Sequence, residues 1–474
     1  MSNALPGNPR YQPNNMQEYF GYDNLYRWIA RVEIATLQVL GEIGVIPVEE
    51  IALLTPELIE KLLNLRTTEV DKREREVTKH DIRAWVQLAQ EIMHNDLSKW
   101  VHVTLTSYDP ISAGRALQFK EAFDGVISPS IKEVISLMSD MVVKFSEVLQ
   151  IGRTHGQHAL PITVGFWLAT ILDRITYNWE KMNQFSNEIT GKISGAVGAY
   201  NAQVGLLIEE KCGDKTFEER ILEKLGLKPA IISTQILPPE PVAYFLHSFV
   251  MMSASLAQFG RDCRHLMRSE ISEVVESFGK KQVGSSTMAH KRNPINFENL
   301  EGQYTKIMSE YMKVMMTMVS EHQRDLVGSC VARDFPTILV VLQAQLNTLL
   351  RKNEDDVPFL SRITVSEVAC RRNFEMSSDY VLSEPIYIAL QMAGYTGDAH
   401  ELVNRRLLII AKEKHISLLA ALEYVALKDQ GELKKAFNNI PNKVQNALSN
   451  PENYIGRSLE KSLEIAKHCK KVIS

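Results

Sequence analysis

Long apolar runs are missing from this sequence. No stretch approaches ~18 uninterrupted apolar residues, the length a bilayer-spanning helix needs, and the opening MSNALPGNPRYQPNN is polar rather than leader-like. The expectation is a cytoplasmic chain with no membrane partner. An excess of either charge is missing too: 53 Lys and Arg stand against 57 Asp and Glu, a formal net charge of −4. Such a balance offers no global attraction for nucleic acid, so an anionic ligand must be held by locally placed basic groups. Cysteine is scarce and scattered. Cys212, Cys263, Cys330, Cys370 and Cys469 form no CxxC pair and have no nearby histidine ligand set. That argues against structural zinc and against a disulfide framework, and fits a reducing compartment.

Proline is absent between Pro161 and Pro229, between Pro241 and Pro294, and between Pro294 and Pro336. Inside a helix it costs roughly 3 kcal/mol, so these gaps permit very long helices. Periodicity says that they are used. Phe249, Leu256 and Cys263 recur every seven residues, with Ser253, Gly260, Met267 and Val274 in parallel, an a/d-like seam with small residues where helices approach. Leu300, Tyr304, Ile307, Tyr311, Val314 and Met318 follow three- and four-residue steps, as do Ile171, Ile175, Trp179, Met182, Phe185 and Ile189, and, upstream, Ile131, Val134, Ile135, Met138, Val142 and Phe145. Strand-like alternation is scarce. The expected fold is all-α, with a central bundle of long helices.

A chain of 474 residues exceeds one compact core. The expected division is an N-terminal helical region (1–107), a central bundle (108–360) and a C-terminal helical region (361–474), the last boundary falling after the charged, proline-containing stretch RKNEDDVP.

Five segments are polar or glycine-bearing where a bundle helix would be apolar. Residues 283–294, VGSSTMAHKRNP, fall between two helical patterns and form a loop. One of its serines could take a carbon-bound proton only if its alkoxide were stabilised, by Lys291 or by backbone N–H groups; a plain polar connector fits the composition equally. Residues 152–161, GRTHGQHALP, carry two histidines beside Arg153, and imidazole suits proton transfer near neutral pH. No carboxylate or thiol follows at metal-ligand spacing, and a solvent-facing turn is the bland alternative. Lys79-His80-Asp81 places a carboxylate beside a histidine, a pattern more common on plain surface. Residues 105–109, LTSYD, offer Thr106 and Ser107 as small neutral donors for an anion's oxygens. Residues 322–334 hold Arg324, Ser329 and Arg333. One straight helix would set the two guanidiniums about 180° apart, and a break near Gly328 would remove that obstacle. Arginine grips carboxylate or phosphate in a bidentate way, although a solvated charged helix reads the same.

In this order the segments resemble the fumarase/aspartase superfamily of lyases, whose signature GSSxMPxKxNP is similar to GSSTMAHKRNP here. Arg10-Tyr11, Lys79-His80-Asp81, Thr106-Ser107, RTHGQHALP, GKISGAVGAY (191–200), Ser233-Thr234-Gln235 and QRDLVGSCVAR narrow the resemblance to the adenylosuccinate lyases, from Arg10 to PENYIGRS at 451–458. The resemblance implies a three-domain helical protomer, a homotetramer whose active sites each draw on three subunits, a small-molecule nucleotide substrate, and no cofactor or metal. It assigns Ser285 as the base and His155 as the acid, with His80 tuning protonation. Lys291 and Asn293 would stabilise the carbanionic intermediate, while Thr106, Ser107 and Gln235 would hold the succinyl end. Arg10, Tyr11, Arg324, Ser329 and Arg333 would hold a phosphate with Asn299 nearby, and Lys79 and Asp81 join the binding set.

Three departures stand out: Ala289 replaces the signature proline, Thr104 stands where glycine commonly precedes the LTS turn, and residues 236–241 read ILPPEP where an arginine or histidine is usual. Another lyase of the superfamily, acting on argininosuccinate or malate, is the nearest rival; the phosphate-gripping set argues against it. A non-catalytic helical homologue would have been free to lose Ser285 or His155.

Overall fold

A computed structural model describes residues 5–93, 95–276, 288 and 291–474. Helix dominates, and the strands among the described residues form three two-stranded sheets. The proline gaps are filled as expected: Val164–Glu188 runs for 25 residues, Glu240–Leu266 for 27 and Ile295–Met316 for 22. Their seams are inside, with Phe249, Leu256, Cys263, Leu300, Ile307, Ile171, Ile175 and Met182 all buried. The seven-residue series ends sooner than its pattern suggests. Its helix stops at Leu266, and Val274 lies in the strand Val274–Val275, paired antiparallel with Thr364–Val365.

The chain divides into two compact units, residues 1–132, 177–257 and 299–348 in the first and residues 133–176, 258–298 and 349–474 in the second. In the first, the helix Arg27–Glu42 packs on the helix Tyr108–Ala122. Gly114 allows the approach: a Cβ there would stand 3.1 Å from the Trp28 backbone. Phe123, Phe245 and Phe249 form an edge-on aromatic group, with Phe245 and Phe249 centroids 4.9 Å apart. Buried Gln345 spends its NH2 group on the Ser253 and Leu300 carbonyls, at 3.3 and 2.8 Å, which satisfies donors that would otherwise be costly there.

The second unit has its own apolar core, in which Phe374, Ile386, Leu390, Val403, Leu407, Leu418, Leu422 and Val425 surround Ile151. Here the sequence showed no sign of strands: His155 does sit in an exposed turn, but strands flank it. The segment is a β-hairpin, Leu149–Thr154 against Gln157–Thr163, carried on the helix Glu367–Glu375.

Two stretches, Glu240–Leu266 and Val327–Leu350, are long and apolar enough in composition to cross a membrane. In the first, 67% of the apolar window is buried inside the protein, so its composition is that of a core helix.

Candidate active site

A chain of hydrogen bonds in the first unit starts at Asp109, which is fully buried. Its Oδ2 accepts from the Thr106 N–H at 2.8 Å, setting the Thr106-Ser107 turn. Its Oδ1 pairs with the buried Lys192 ammonium and accepts the Ser194 and Gly195 N–H groups at 3.2 Å each. This fixes the 191–200 stretch, which in turn presses on residues 233–234. Gly198 has φ +75, and a Cβ there would fall 2.2 Å from the Ser233 carbonyl oxygen, so glycine is required on two counts. The Ser194 and Ser233 hydroxyls meet at 2.7 Å. Two residues on, Gln235 Oε1 accepts from the Arg324 guanidinium at 2.7 Å, and that guanidinium lies 3.5 Å over the ring of Tyr108. Tyr108 donates to Ser329 Oγ at 3.0 Å.

Of these groups Thr106, Ser107, Tyr108, Gln235, Arg324 and Ser329 wall a cleft of about 1110 Å³. Lys79, His80, Asp81, Thr106, Ser107, Gln235, Arg324, Ser329 and Arg333 all line it. The angular objection to Arg324 and Arg333 dissolves because no single helix carries both: Arg324 precedes the helix Val327–Val331 and Arg333 sits in the 3-10 turn Ala332–Asp334. Lys79 reaches its place with φ +54, closing the turn Glu74–Thr78, and His80 caps the helix Asp81–Ile92, its Nδ1 accepting from the Arg83 N–H at 3.4 Å.

Other expected residues lie elsewhere. Arg10 and Tyr11 are exposed, stacked on one another 5.5 Å apart, and are not among the residues lining this cleft. Asn299, on the helix Ile295–Met316, donates to Thr348 Oγ1 at 3.3 Å. His155, Lys291 and Asn293 belong to the second unit. His155 is exposed in the two-residue turn of the hairpin, where it and Gly156 have φ +53 and +74, the paired positive values of a type I′ turn. The hairpin is anchored by Arg153, whose guanidinium meets the buried Glu273 carboxylate at 2.6 and 3.1 Å, and by His158, 2.7 Å from Ser377 Oγ. Ser285 and Ala289 lie outside the described residues.

A protein-family model described as a lyase matches residues 37–309. The adenylosuccinate lyase of Pyrococcus horikoshii is 32% identical over 466 residues, covering 95% of this chain and 94% of that protein. The adenylosuccinate lyase of Pyrococcus abyssi is 31% identical over 455 residues, with 95% and 94% covered. Among solved structures, the 3-carboxy-cis,cis-muconate lactonizing enzyme from Pseudomonas putida superposes with a TM-score of 0.78 at 21% identity, covering 98% of each chain.

The chain belongs to the adenylosuccinate lyase family.

Within this family's fold, the cleft contains residues that the sequence did not single out. Tyr26 is one: burial, then the carboxylates of Asp81 and Glu74, hold its phenol well above the usual value against the opposing charge of Arg333, so it stays a neutral hydrogen-bond donor at any ordinary pH. Tyr108, quoted above only as part of LTSYD, and Arg115 also line the cleft. Both lie on the helix Tyr108–Ala122, and the signal available for Arg115 was negative. Its helical neighbours Ile111, Ser112, Gln118 and Phe119 include no acid to pair with it. The ILPPEP departure also has a visible consequence: Ile236, Leu237, Pro238 and Pro239 wall a smaller apolar cavity of about 160 Å³.

Proposed function

We propose that this lyase cleaves the C–N bond of adenylosuccinate to give AMP and fumarate, and the corresponding bond of SAICAR to give AICAR and fumarate, in purine nucleotide synthesis. The observation that carries the reading is the cleft itself, where Arg324 and Arg333 share a wall with the neutral donors Thr106, Ser107, Gln235 and Ser329. Cations and neutral donors in one cleft suit a substrate that carries both a phosphate and a succinyl group.

In this scheme Ser285 removes the proton on the succinyl carbon next to the one bonded to nitrogen. The electron pair becomes an aci-carboxylate, stabilised by Lys291 and Asn293, with Thr106, Ser107 and Gln235 holding the succinyl end. Collapse forms the double bond of fumarate and expels the nitrogen, which His155 protonates so that no bare anion departs. His80 tunes that protonation, with Lys79 and Asp81 beside it. Arg324, Ser329 and Arg333 of the cleft hold the phosphate, joined in the assembled shared site by Arg10 and Tyr11, with Asn299 adjacent. The three-domain protomer (1–107, 108–360, 361–474), assembly as a homotetramer with shared sites, and a cytoplasmic location belong to the same reading.

The test is fumarate release, followed by absorbance, from adenylosuccinate beside argininosuccinate and malate. Adenylosuccinate alone should turn over, and Ser285→Ala and His155→Ala should each cut turnover by at least ~10²-fold. Turnover of malate or argininosuccinate in its place, or little loss in either variant, would refute the scheme.

A further inference from the structure

The helix Tyr108–Ala122 turns one stripe to the cleft, Tyr108, Ile111, Arg115 and Gln118, at the spacing of a single helical face. Arg115 is the unexpected member. Its side chain is half-buried in the cleft wall, and burial pushes its guanidinium below the usual value; Tyr108 opposes that shift and Arg333 adds to it. Yet it forms no ion pair and no hydrogen bond with any described residue. Among the described residues Arg333 likewise has no ion pair, and Arg324 bonds only to the neutral Gln235 while its Nε is buried without a partner.

The acids nearby do not relieve this. In the cleft, Asp71 is engaged by Tyr22 and Asp81 lies 3.3 Å from His80. Asp71 and Glu74 also line, with Arg75 and Lys79, a separate surface pocket, and among the described residues neither is ion-paired with Arg115, Arg324 or Arg333. In the smaller cavity, which Arg115 also lines, the single carboxylate is Asp325. Its oxygens are occupied by the Glu321 and Val327 N–H groups, at 2.8 and 2.7 Å, and by Ser320 at 3.0 Å. Arg115 and Arg324 are half-buried and Arg333 is exposed; three uncompensated cations on one wall repel one another, and desolvation adds a cost for the two that are half-buried. A dianion among them would remove both costs.

We propose that Arg115 is a phosphate-binding residue that joins Arg324 and Arg333 in gripping the substrate's phosphomonoester. Ser329 and Tyr108, hydrogen-bonded to one another, supply neutral donors beside it. The proposal rests on the nucleotide reading above and adds to it the residue that closes the anion site from the helix side.

The experiment uses the full-length enzyme and Arg115→Met, with Arg115→Lys as a charge-preserving companion. Arg115→Met should raise KM for adenylosuccinate at least about tenfold, the range of a lost charge-assisted hydrogen bond, while leaving kcat within about threefold. Competitive inhibition by orthophosphate should weaken by a similar factor, and the thermal midpoint without ligand should hold or rise. Arg115→Lys should fall between the two, and carries the kinetic test alone should the methionine variant not fold. KM and orthophosphate inhibition within about twofold of wild type, or a lowered midpoint with inhibition unchanged, would overturn the proposal in favour of a packing role. Orthophosphate protection against heating separates the two readings. If wild type released no fumarate but was stabilised by orthophosphate, and Arg115→Met was not, the anion site would stand and the lyase reading would fall.

Discussion

Arg153 and the arginines of the cleft are the same residue in opposite circumstances. Arg153 is nearly covered, with 14% of its side chain exposed, and it faces the fully buried Glu273, which also accepts from Gln150 and Asn373 at 2.8 Å each. Its charge is spent inside the protein, on holding the hairpin that ends in His155. Arg115, Arg324 and Arg333 have no carboxylate among the described residues. Their charge remains available. The difference teaches how to tell a structural cation from a binding one: by whether the fold has already supplied its anion.

The largest expected effect comes from reversing that condition at Arg153. Glu273→Ala would strand a buried guanidinium together with Gln150 and Asn373, and should cost about 3–5 kcal/mol of unfolding free energy in urea titrations. Turnover should fall as well, since the hairpin carries His155. A double substitution, Arg153→Met with Glu273→Leu, should recover most of the lost stability, because a buried pair is often replaceable by packed apolar groups. A loss under about 1 kcal/mol for Glu273→Ala would show that the pair does not hold the hairpin.

Arg324→Ala should behave the other way. Stability should change by no more than about 1 kcal/mol, since the fold gives this cation only a neutral amide and a ring face. KM for adenylosuccinate should rise at least about tenfold, with the larger share of the effect on KM rather than kcat. Salt sharpens the contrast: screening should raise the wild-type KM with ionic strength while leaving the buried Arg153–Glu273 pair nearly untouched. A destabilised Arg324→Ala with unaltered KM would place it with Arg153.

The same contrast explains what could be read from the chain. Helix length was legible because two signals agreed, absent proline and recurring apolar residues, and the buried faces of Glu240–Leu266 and Ile295–Met316 follow them. The hairpin was not, because the Leu149–Thr154 strand alternates weakly and is stabilised by Glu273, more than a hundred residues away in the chain; no local pattern contains that bond. Arg324 and Arg333 drew attention as a pair, but their common cleft depends on the chain breaking before Val327. Arg115 was invisible for a simpler reason: a lone arginine in a helix usually reaches solvent. One departure did carry structural information. Thr104 has φ +69 and a buried hydroxyl with no partner, a conformation that is strained for a β-branched residue, and glycine there would be free of both penalties.

A cation paired within the first unit provides the finest test. His102 sits just before the Thr106 turn, its Nδ1 2.6 Å from Glu33 Oε1 and its N–H donating to Glu33 Oε2 at 3.1 Å. Burial disfavours the charged ring, but the Glu33 carboxylate outweighs burial and holds the His102 pKa above the ordinary histidine value. A raised folded pKa means that the folded state binds the proton more tightly than the unfolded chain does. The stabilisation is therefore complete below the unfolded value, near ~6.5, and is lost as pH rises through the higher folded value. His102→Gln should lower the unfolding midpoint most at pH values below ~6.5, and the gap from wild type should narrow as the solution is made more alkaline. If the gap instead stayed constant with pH, the charge on His102 would contribute nothing beyond its hydrogen bonds. Arg153 would then be the clearer case of a cation whose charge the fold itself consumes.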